Sequence, residues 1–557
     1  MKEKITVKTN RGTIENKVKS VFLGIIIWTI VFVLTLVLFC TVKPYMATKT
    51  IRPGVVAKGI MAVSIIALLM LGVWWYIHKK LTQKRWIILL LLIGYILRVG
   101  YMLYTPAVTR QHDTFTKNFD GHEAYAWTLF ISGKLPTHNV YQFYHPPLNA
   151  MVQAFFMRFI ESLTQGLTAI FHLGEYYPEA FTYGKVDYID SQRWFLYSSC
   201  QVLSVFYACV TCVTLLKILK LFSFPAKYNP LLISLLVFFP RLIQFSGMLN
   251  NDPLAFMFTV LAFFFTLKWQ KQGKKLRNIL FAGLCVGLGM MTKLSSATVC
   301  LPIAFIFIYE FVNALKKKEN ALSTPKLFLQ YALFLIVCAP IGLWFQIYAY
   351  QRFGQTFGYV FNGLNPMLYT GHHSFFSRFI LCLDWTEYFG SIWCRPFVGN
   401  YYLFNYALRS AIFGEFAYWN GEGFAITAIL LAYLSALLLA VAIGYVVLHA
   451  FLQRRKNKTQ DKILKTKGAG MDLWTIFFLM QSQVLSLVYF YIKMPYGCTM
   501  DFRYVMPMIL AITLTVGFTQ NRLDTIGTQT AIKLNRLLTL FIGGFLAVSV
   551  LFYCVCI

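Results

Sequence analysis

Carboxylates and histidines cluster in one polar segment of an otherwise apolar chain. His112 and Asp113 are adjacent, and His122 and Glu123 follow shortly afterwards. A carboxylate beside an apolar wall can act as a general base on a hydroxyl group. We therefore predict Asp113 and Glu123 as catalytic residues and place both histidines in the substrate cavity. The alternative is a solvated loop in which Asp120 only caps a helix.

A proline pair opens an apolar helix and predicts an anion-binding position. Tyr144 and His145 precede Pro146 and Pro147. Proline is tolerated in the first turn of a helix, where the backbone N–H groups and the positive end of the helix dipole also point. His145 then lies where an anion would bind, and we place Tyr144 in the adjoining cavity. A capping histidine without a ligand is the alternative.

Three further candidates lie at the ends of apolar runs. Asn251 and Asp252 form a turn that either faces the same cavity or is only a tight turn. Lys293 ends a glycine-containing run and needs an anionic partner or a path to the surface. Arg503 can bind a phosphate through two hydrogen bonds, unless it only pairs with Asp501 on the surface.

The composition is that of a membrane protein. Of 557 residues, 58% are hydrophobic and only 13% are charged, whereas about one quarter of a soluble domain is charged. The net charge of +30 does not indicate nucleic acid, because most of the 51 lysines and arginines lie in short gaps between apolar runs, where they act as topology signals. The cysteines form no disulfide framework, although Cys382 and Cys394 share a loop and could pair.

Thirteen runs are long enough to cross a bilayer, since a span needs about 20 apolar residues. We predict spans at 20–42, 58–77, 86–104, 194–216, 229–249, 254–270, 278–294, 296–315, 327–350, 424–449, 472–492, 503–519 and 534–556. With the basic N-terminus in the cytoplasm, alternation places most basic residues inside and most acidic residues outside. The sequence therefore predicts a multi-pass plasma-membrane protein whose polar cluster faces the exterior.

This topology divides the chain into four parts. They are the cytoplasmic N-terminus with two extra helices (1–85), a catalytic module with an external loop at 105–193 (86–350), an aromatic-rich external loop (351–423) and the last spans (424–557). Within the first loop, the apolar segment 146–172 contains Arg158 and Glu161. We therefore predict a juxtamembrane or re-entrant helix there.

The order of these motifs resembles that of the GT-C membrane glycosyltransferases. The shared features are an acidic residue in a long first external loop, the proline element at His145, the Asp252 turn, the glycine-rich run ending at Lys293 and the late Arg503. The nearest branch contains the protein O-mannosyltransferases and aminoarabinose transferases, often called family 39, with many bacterial relatives. The resemblance implies an all-α bundle with a long external catalytic loop.

The resemblance also implies an activity. An inverting transferase of this kind takes a sugar from a polyprenyl-phosphate donor and gives it to an external protein, glycolipid or wall polymer. Asp113 matches the loop acid that serves as the base, although the family's usual Asp-Glu pair is absent here. His145, Lys293 and Arg503 match contacts of the donor phosphate.

Two other functions remain open at this level. A transporter or flippase of lipid-linked glycans would have inverted repeats and ionisable residues at mid-bilayer, for which Arg98, Arg158 and Arg241 are the nearest cases. An inactive scaffold would be insensitive to changes at Asp113. The clustered histidines and carboxylates could chelate a divalent ion, although no spacing matches a dedicated metal motif. Because one base suffices once two or three cations neutralise the leaving phosphate, we predict no metal and no cofactor.

Overall fold

A computed structural model describes most of the chain. It covers residues 2–43, 53–105, 121–139, 141–171, 191–317, 322–360, 366–380, 401–414, 422–456 and 469–555. The singled-out positions outside these described residues are His112, Asp113, Asp120, Cys382 and Cys394. Within the described ranges the secondary structure is helical, apart from an isolated bridge between Tyr369 and Tyr496.

Nineteen α-helices lie within the described ranges, in keeping with the predicted all-α fold. They are α1 (Lys2–Val42), α2 (Pro53–Ile77), α3 (Gln83–Tyr104), α4 (His122–Ser132), α5 (Leu148–Phe171), α6 (Ser191–Ser199), α7 (Gln201–Leu221), α8 (Asn229–Phe238), α9 (Pro240–Gln244), α10 (Asp252–Lys271), α11 (Leu276–Thr292), α12 (Cys300–Leu315), α13 (Thr324–Phe353), α14 (Phe375–Phe379), α15 (Leu403–Phe413), α16 (Glu422–Lys456), α17 (Ala469–Lys493), α18 (Met508–Ile526) and α19 (Gln529–Val555).

Ten helical segments among the described residues are long and apolar enough to cross a membrane. Two further candidates are bent: α8 meets α9 at 47°, and Gly497–Val505 meets α18 at 54°. Pro240 and Pro507 lie at these breaks, where proline cannot continue the hydrogen-bond ladder of the preceding helix. The remaining predicted span is α11, which has 17 residues. Every predicted span is therefore a helix, but three are bent or short.

The helices divide into an inner group and a lipid-facing group. In the segments that contain α7 and α10, 78% of the span is buried, whereas the share is 11% in α2 and 17% in α16. Exposed apolar side chains of this kind are at no disadvantage in hydrocarbon, which is as apolar as leucine. The chain is therefore an integral multi-pass membrane protein.

α11 packs closely on α13 and is paired with α10. A Cβ atom on Gly283 would lie 2.9 Å from the carbonyl oxygen of Phe334, and one on Gly287 would lie 3.0 Å from that of Cys338. Glycine is needed at both positions for this approach. α10 and α11 are joined by the short segment 272–275, so the N-terminus of α10 and the C-terminus of α11 lie side by side at one end of the inner group, where Asn251 donates to the carbonyl oxygen of Thr292.

The segment predicted as a juxtamembrane or re-entrant helix is α5. It is not apolar enough to count among the candidate spans, and it packs against α4. Arg158 of α5 donates a hydrogen bond to the carbonyl oxygen of Phe130 in α4, and its guanidinium lies 4.8 Å from the ring of that residue. α4 and α5 form a pair that lies beside the spans.

A buried ion pair joins α9 to the turn before α18. Arg241 donates two hydrogen bonds to the carboxylate of Asp501, at 2.8 and 2.9 Å, and neither side chain is more than 1% exposed. The backbone N–H of Arg503 also donates to Asp501, at 2.7 Å. A surface pair between Asp501 and Arg503, the alternative considered from the sequence, is therefore wrong, because Asp501 is buried and its ionic partner is Arg241.

Asp501→Asn should lower the free energy of unfolding by about 3 to 5 kcal/mol, because it leaves the guanidinium of Arg241 buried without a counter-ion. Thermal unfolding in detergent measures this change. Lys227→Gln is the matched control, since Lys227 is an exposed partner of Asp524 and exposed pairs contribute little. Equal unfolding midpoints for the two variants would contradict this account of the buried pair.

Candidate functional site

A cavity of about 420 Å³ with charged, polar and aromatic lining residues lies where the ends of several helices meet. The predicted site residues that line it are His122, Tyr144, His145, Asn251, Asp252, Lys293 and Arg503. These residues come from the starts of α4, α5 and α10, the end of α11 and the turn before α18. The fold thus brings into one cavity side chains that are far apart in the sequence.

Asp252 is the centre of a charge cluster in the cavity wall. Its side chain is 5% exposed, and Lys293 Nζ donates to Oδ1 of its carboxylate. The Nε atom of Arg503 lies 3.9 Å from the other oxygen, Oδ2, to which Asn250 Nδ2 donates at 2.9 Å. Two cations share one carboxylate, so the cluster has a formal net positive charge.

The aromatic ring of Tyr504 keeps the two cations together. The ring centroid lies 4.6 Å from Nζ of Lys293 and 5.2 Å from Cζ of Arg503, within the range of cation–π attraction. Arg503 Nη2 also donates to the hydroxyl of Tyr504 at 3.2 Å. Tyr504 itself lines the cavity, so both cations are held at its wall and not at the lipid surface.

Side-chain amides build the turn that presents Asp252. The N–H of Asp252 donates to Oδ1 of Asn250 at 3.2 Å, and Asn251 Nδ2 donates to the carbonyl oxygen of Thr292 at 3.3 Å. The second bond ties the turn to the end of α11, immediately before Lys293. This tight turn therefore places Asn251 and Asp252 in the cavity lining.

The proline element before α5 forms another part of the wall. His145 lines the cavity, and Tyr125 donates a hydrogen bond to its carbonyl oxygen at 3.2 Å. Burial raises the pKa of the Tyr125 phenol, so this hydroxyl stays protonated and continues to donate. The imidazole of His122 stacks on that of His145, with ring centroids 5.7 Å apart and planes at 12°. α5 begins at Leu148, directly after the proline pair.

Glu123 is engaged outside the cavity lining. It is 2% exposed, and its carboxylate accepts two hydrogen bonds from Arg193, one from Nε and one from Nη2 at 2.7 Å. The guanidinium of Arg193 lies 4.8 Å from the ring of Trp127. These contacts anchor the first turn of α4, and a catalytic role for Glu123 stays a prediction.

Several lining residues were not predicted from the sequence. They include Gln346, Gln355, Tyr359, Ser486, Lys493 and Tyr504. A sequence signal for Lys493 did exist, because it is a cation at the end of a span that is predicted to be external, where basic residues are scarce. No such signal identifies the uncharged lining residues, since glutamine, serine and tyrosine at span ends are also common at a membrane interface.

The lining suits an anion that is joined to an apolar molecule. Its formally charged side chains are Lys293, Lys493 and Arg503 against the single carboxylate of Asp252. Ammonium and guanidinium groups of this kind bind phosphate. Tyrosines, phenylalanines and uncharged polar residues supply most of the rest of the wall. In the part of the chain that the structure describes, no three His, Cys, Asp or Glu side chains group as a metal site would require.

Part of the chain matches a known family. Residues 197–344 match the family model described as dolichyl-phosphate-mannose-protein mannosyltransferase. This region runs from the end of α6 into α13 and contains Asp252 and Lys293, two members of the charge cluster. No curated protein matches the chain significantly.

Inorganic phosphate should raise the thermal unfolding midpoint of the parent chain, because a ligand that binds the folded state stabilises it. Lys293→Gln and Arg503→Gln should each remove most of this shift, since each deletes a cation. Asp252→Asn should enlarge the shift, because both cations then lack their carboxylate.

Lys227→Gln, which changes a residue outside the cavity lining, should keep the parental phosphate shift. If Lys293→Gln and Arg503→Gln also keep it, the charge cluster does not bind phosphate.

Proposed function

We propose that this chain is a membrane glycosyltransferase of the GT-C type, as the match of residues 197–344 to the mannosyltransferase family supports, and that it moves one sugar from a polyprenyl-phosphate donor to a non-cytoplasmic acceptor, with inversion. The observation that carries the proposal is the pairing of Lys293 and Arg503 with the single carboxylate of Asp252 in the cavity wall. This cluster is suited to a phosphate, and the chemistry needs no metal or other cofactor.

The donor phosphate lies against Lys293 and Arg503 in this proposal. When the bond between the sugar and the phosphate oxygen breaks, the polyprenyl phosphate keeps the electron pair, so negative charge grows on the phosphate. Cations held in place before the reaction stabilise that charge without reorganising. Arg503 suits this role because a guanidinium can bind two phosphate oxygens at once. His145, before the N-terminus of α5, is the proposed third contact.

The polyprenyl tail leaves the cavity between α13 and α17. Gln346 of α13 and Ser486 of α17 both line the cavity. The neighbouring residues on the outer surfaces of these helices are apolar and exposed, with Ile347 at 57% and Leu485 at 58%. A tail in this position passes from the cavity directly into lipid, so its hydrocarbon stays in an apolar environment.

Asp113 is the proposed general base. Its loop follows α3 and ends just before His122, which lines the cavity. The acceptor hydroxyl gives its proton to the Asp113 carboxylate while its oxygen bonds to the anomeric carbon and the phosphate departs. Attack from the side opposite the phosphate inverts the anomeric configuration. Glu123 is retained as a second predicted catalytic carboxylate, close to the end of the same loop.

The cavity faces the exterior of the plasma membrane in this proposal, with the N-terminus in the cytoplasm. The support comes from the segment 268–277, which contains five basic residues. It includes the connection between α10 and α11 and lies at the ends of these helices that are opposite to Asp252 and Lys293. Such segments favour the cytoplasm. The acceptor is then an external protein, glycolipid or wall polymer, and the rings of Tyr144 and Tyr359 offer faces on which a sugar can stack.

Asp113→Asn should lower kcat for transfer from a polyprenyl-phosphate sugar by a factor of about 100 or more, because a general base contributes about 10²–10⁴-fold. The donor KM should change little, since the phosphate contacts remain. Purified protein in detergent, with the donor and an acceptor, provides the assay.

Asp120→Asn changes a carboxylate in the same loop and should keep nearly the parental kcat. A parental kcat for Asp113→Asn would exclude this residue as the base. A parent chain that carries the lipid-linked sugar across a vesicle membrane without transferring it would identify a transporter instead.

A further inference from the structure

A buried lysine stands at the C-terminal end of α1. Lys43 follows α1 directly, and it is 3% exposed. Lysine is almost never fully buried without partners, because an unpaired charge in an apolar environment is very unfavourable. Its surroundings should therefore contain groups that accept hydrogen bonds, and they do.

The ammonium group of Lys43 has three acceptors. Nζ donates to the carbonyl oxygen of Met102 at 2.6 Å, to that of Thr105 at 3.1 Å and to Oε1 of Gln201. The first two acceptors belong to the C-terminal end of α3, where carbonyl groups have no partner within the helix and the dipole favours a cation. All three N–H bonds of the ammonium are thus used to join α1, α3 and α7.

Gln201 extends this network toward the cavity. Its Nε2 atom donates to the carbonyl oxygen of Thr105 at 3.3 Å and to that of Gly247 at 2.9 Å. Tyr101 packs closely on the same segment, since a Cβ on Gly247 would lie 2.7 Å from its ring. One amide therefore connects the end of α3 to the chain that leads into the Asp252 turn.

Side chains also hold the two carbonyl groups that follow Gly247. The hydroxyl of Ser204 donates to the carbonyl oxygen of Met248, and Gln153 Nε2 donates to that of Leu249 at 2.6 Å. Three consecutive carbonyl groups are thus satisfied by side chains and not by a helix or a sheet. This arrangement fixes the backbone immediately before the turn that presents Asp252.

We propose that Lys43 is a positioning residue for the sugar transfer, joining α1 to both the start of the Asp113 loop and the Asp252 turn. This inference rests on the proposed function. Thr105 is the last described residue before that loop, so the Lys43–Gln201 network fixes its first point of attachment. α1 is then part of the scaffold of the active site and not only a membrane anchor.

The test compares kcat with the donor KM in purified full-length chains. Lys43→Met keeps the length of the side chain and removes the three donors, so kcat should fall about tenfold or more, because misplaced reacting groups react slowly. Its donor KM should change less. Ser204→Ala should do the opposite and mainly raise the donor KM, because it loosens the backbone before Asp252. Lys43→Arg, which keeps the charge and donors, should restore a large part of kcat.

Thr41→Val is the matched control at the end of α1, since Thr41 is exposed and its hydroxyl donates to the carbonyl oxygen of Val37 in the same helix. The kcat and the donor KM of this variant should equal those of the parent chain. A parental kcat in folded Lys43→Met would overturn this inference alone, provided that the parent chain is active. If Lys43→Met does not fold, Lys43→Gln is judged by the same criterion. Absence of transfer by the parent chain would overturn the proposed function and this inference with it.

Discussion

The sharing of one buried carboxylate between two cations is the constraint on which the site depends. Asp252 begins α10, Lys293 follows α11 and Arg503 precedes α18, so three separate parts of the chain must converge on one group. A buried ionic group is tolerated only with such partners. The short connection between α10 and α11 and the hydrogen bond from Asn251 to the carbonyl oxygen of Thr292 place the ends of these two helices side by side.

A second ion pair supports the first one. Asp501 binds the guanidinium of Arg241 and accepts a hydrogen bond from the backbone N–H of Arg503. Through these two contacts, α9 fixes the position of the Arg503 backbone. Arg503 then lies beside Asp252, which itself binds Lys293. The two pairs form a continuous chain of charges from the buried centre of the bundle to the cavity wall. Such a wall is organised before any ligand arrives, which is the condition for electrostatic stabilisation of a leaving phosphate.

The sequence predicts the all-α membrane fold and three of the four charged residues in the described cavity lining, Asp252, Lys293 and Arg503, because charged groups at the ends of apolar spans are rare and these three are predicted to share one side of the bilayer. It does not reveal which of them touch. Asp501 pairs with Arg241, 260 residues away, and not with its neighbour Arg503. Likewise, the bends at Pro240 and Pro507 arise where apolar length alone suggests straight spans. These features depend on long-range packing, which periodicity and composition do not contain.

The most direct test of this account is a structure determined with a bound polyprenyl monophosphate. The account predicts a phosphate in hydrogen-bonding contact, about 2.7–2.9 Å, with Nζ of Lys293 and the guanidinium of Arg503, and a tail between α13 and α17. The result that would contradict it is a lipid phosphate bound elsewhere, such as beside Lys217 in the groove between α1 and α7, while Lys293 and Arg503 contact only Asp252 and Tyr504.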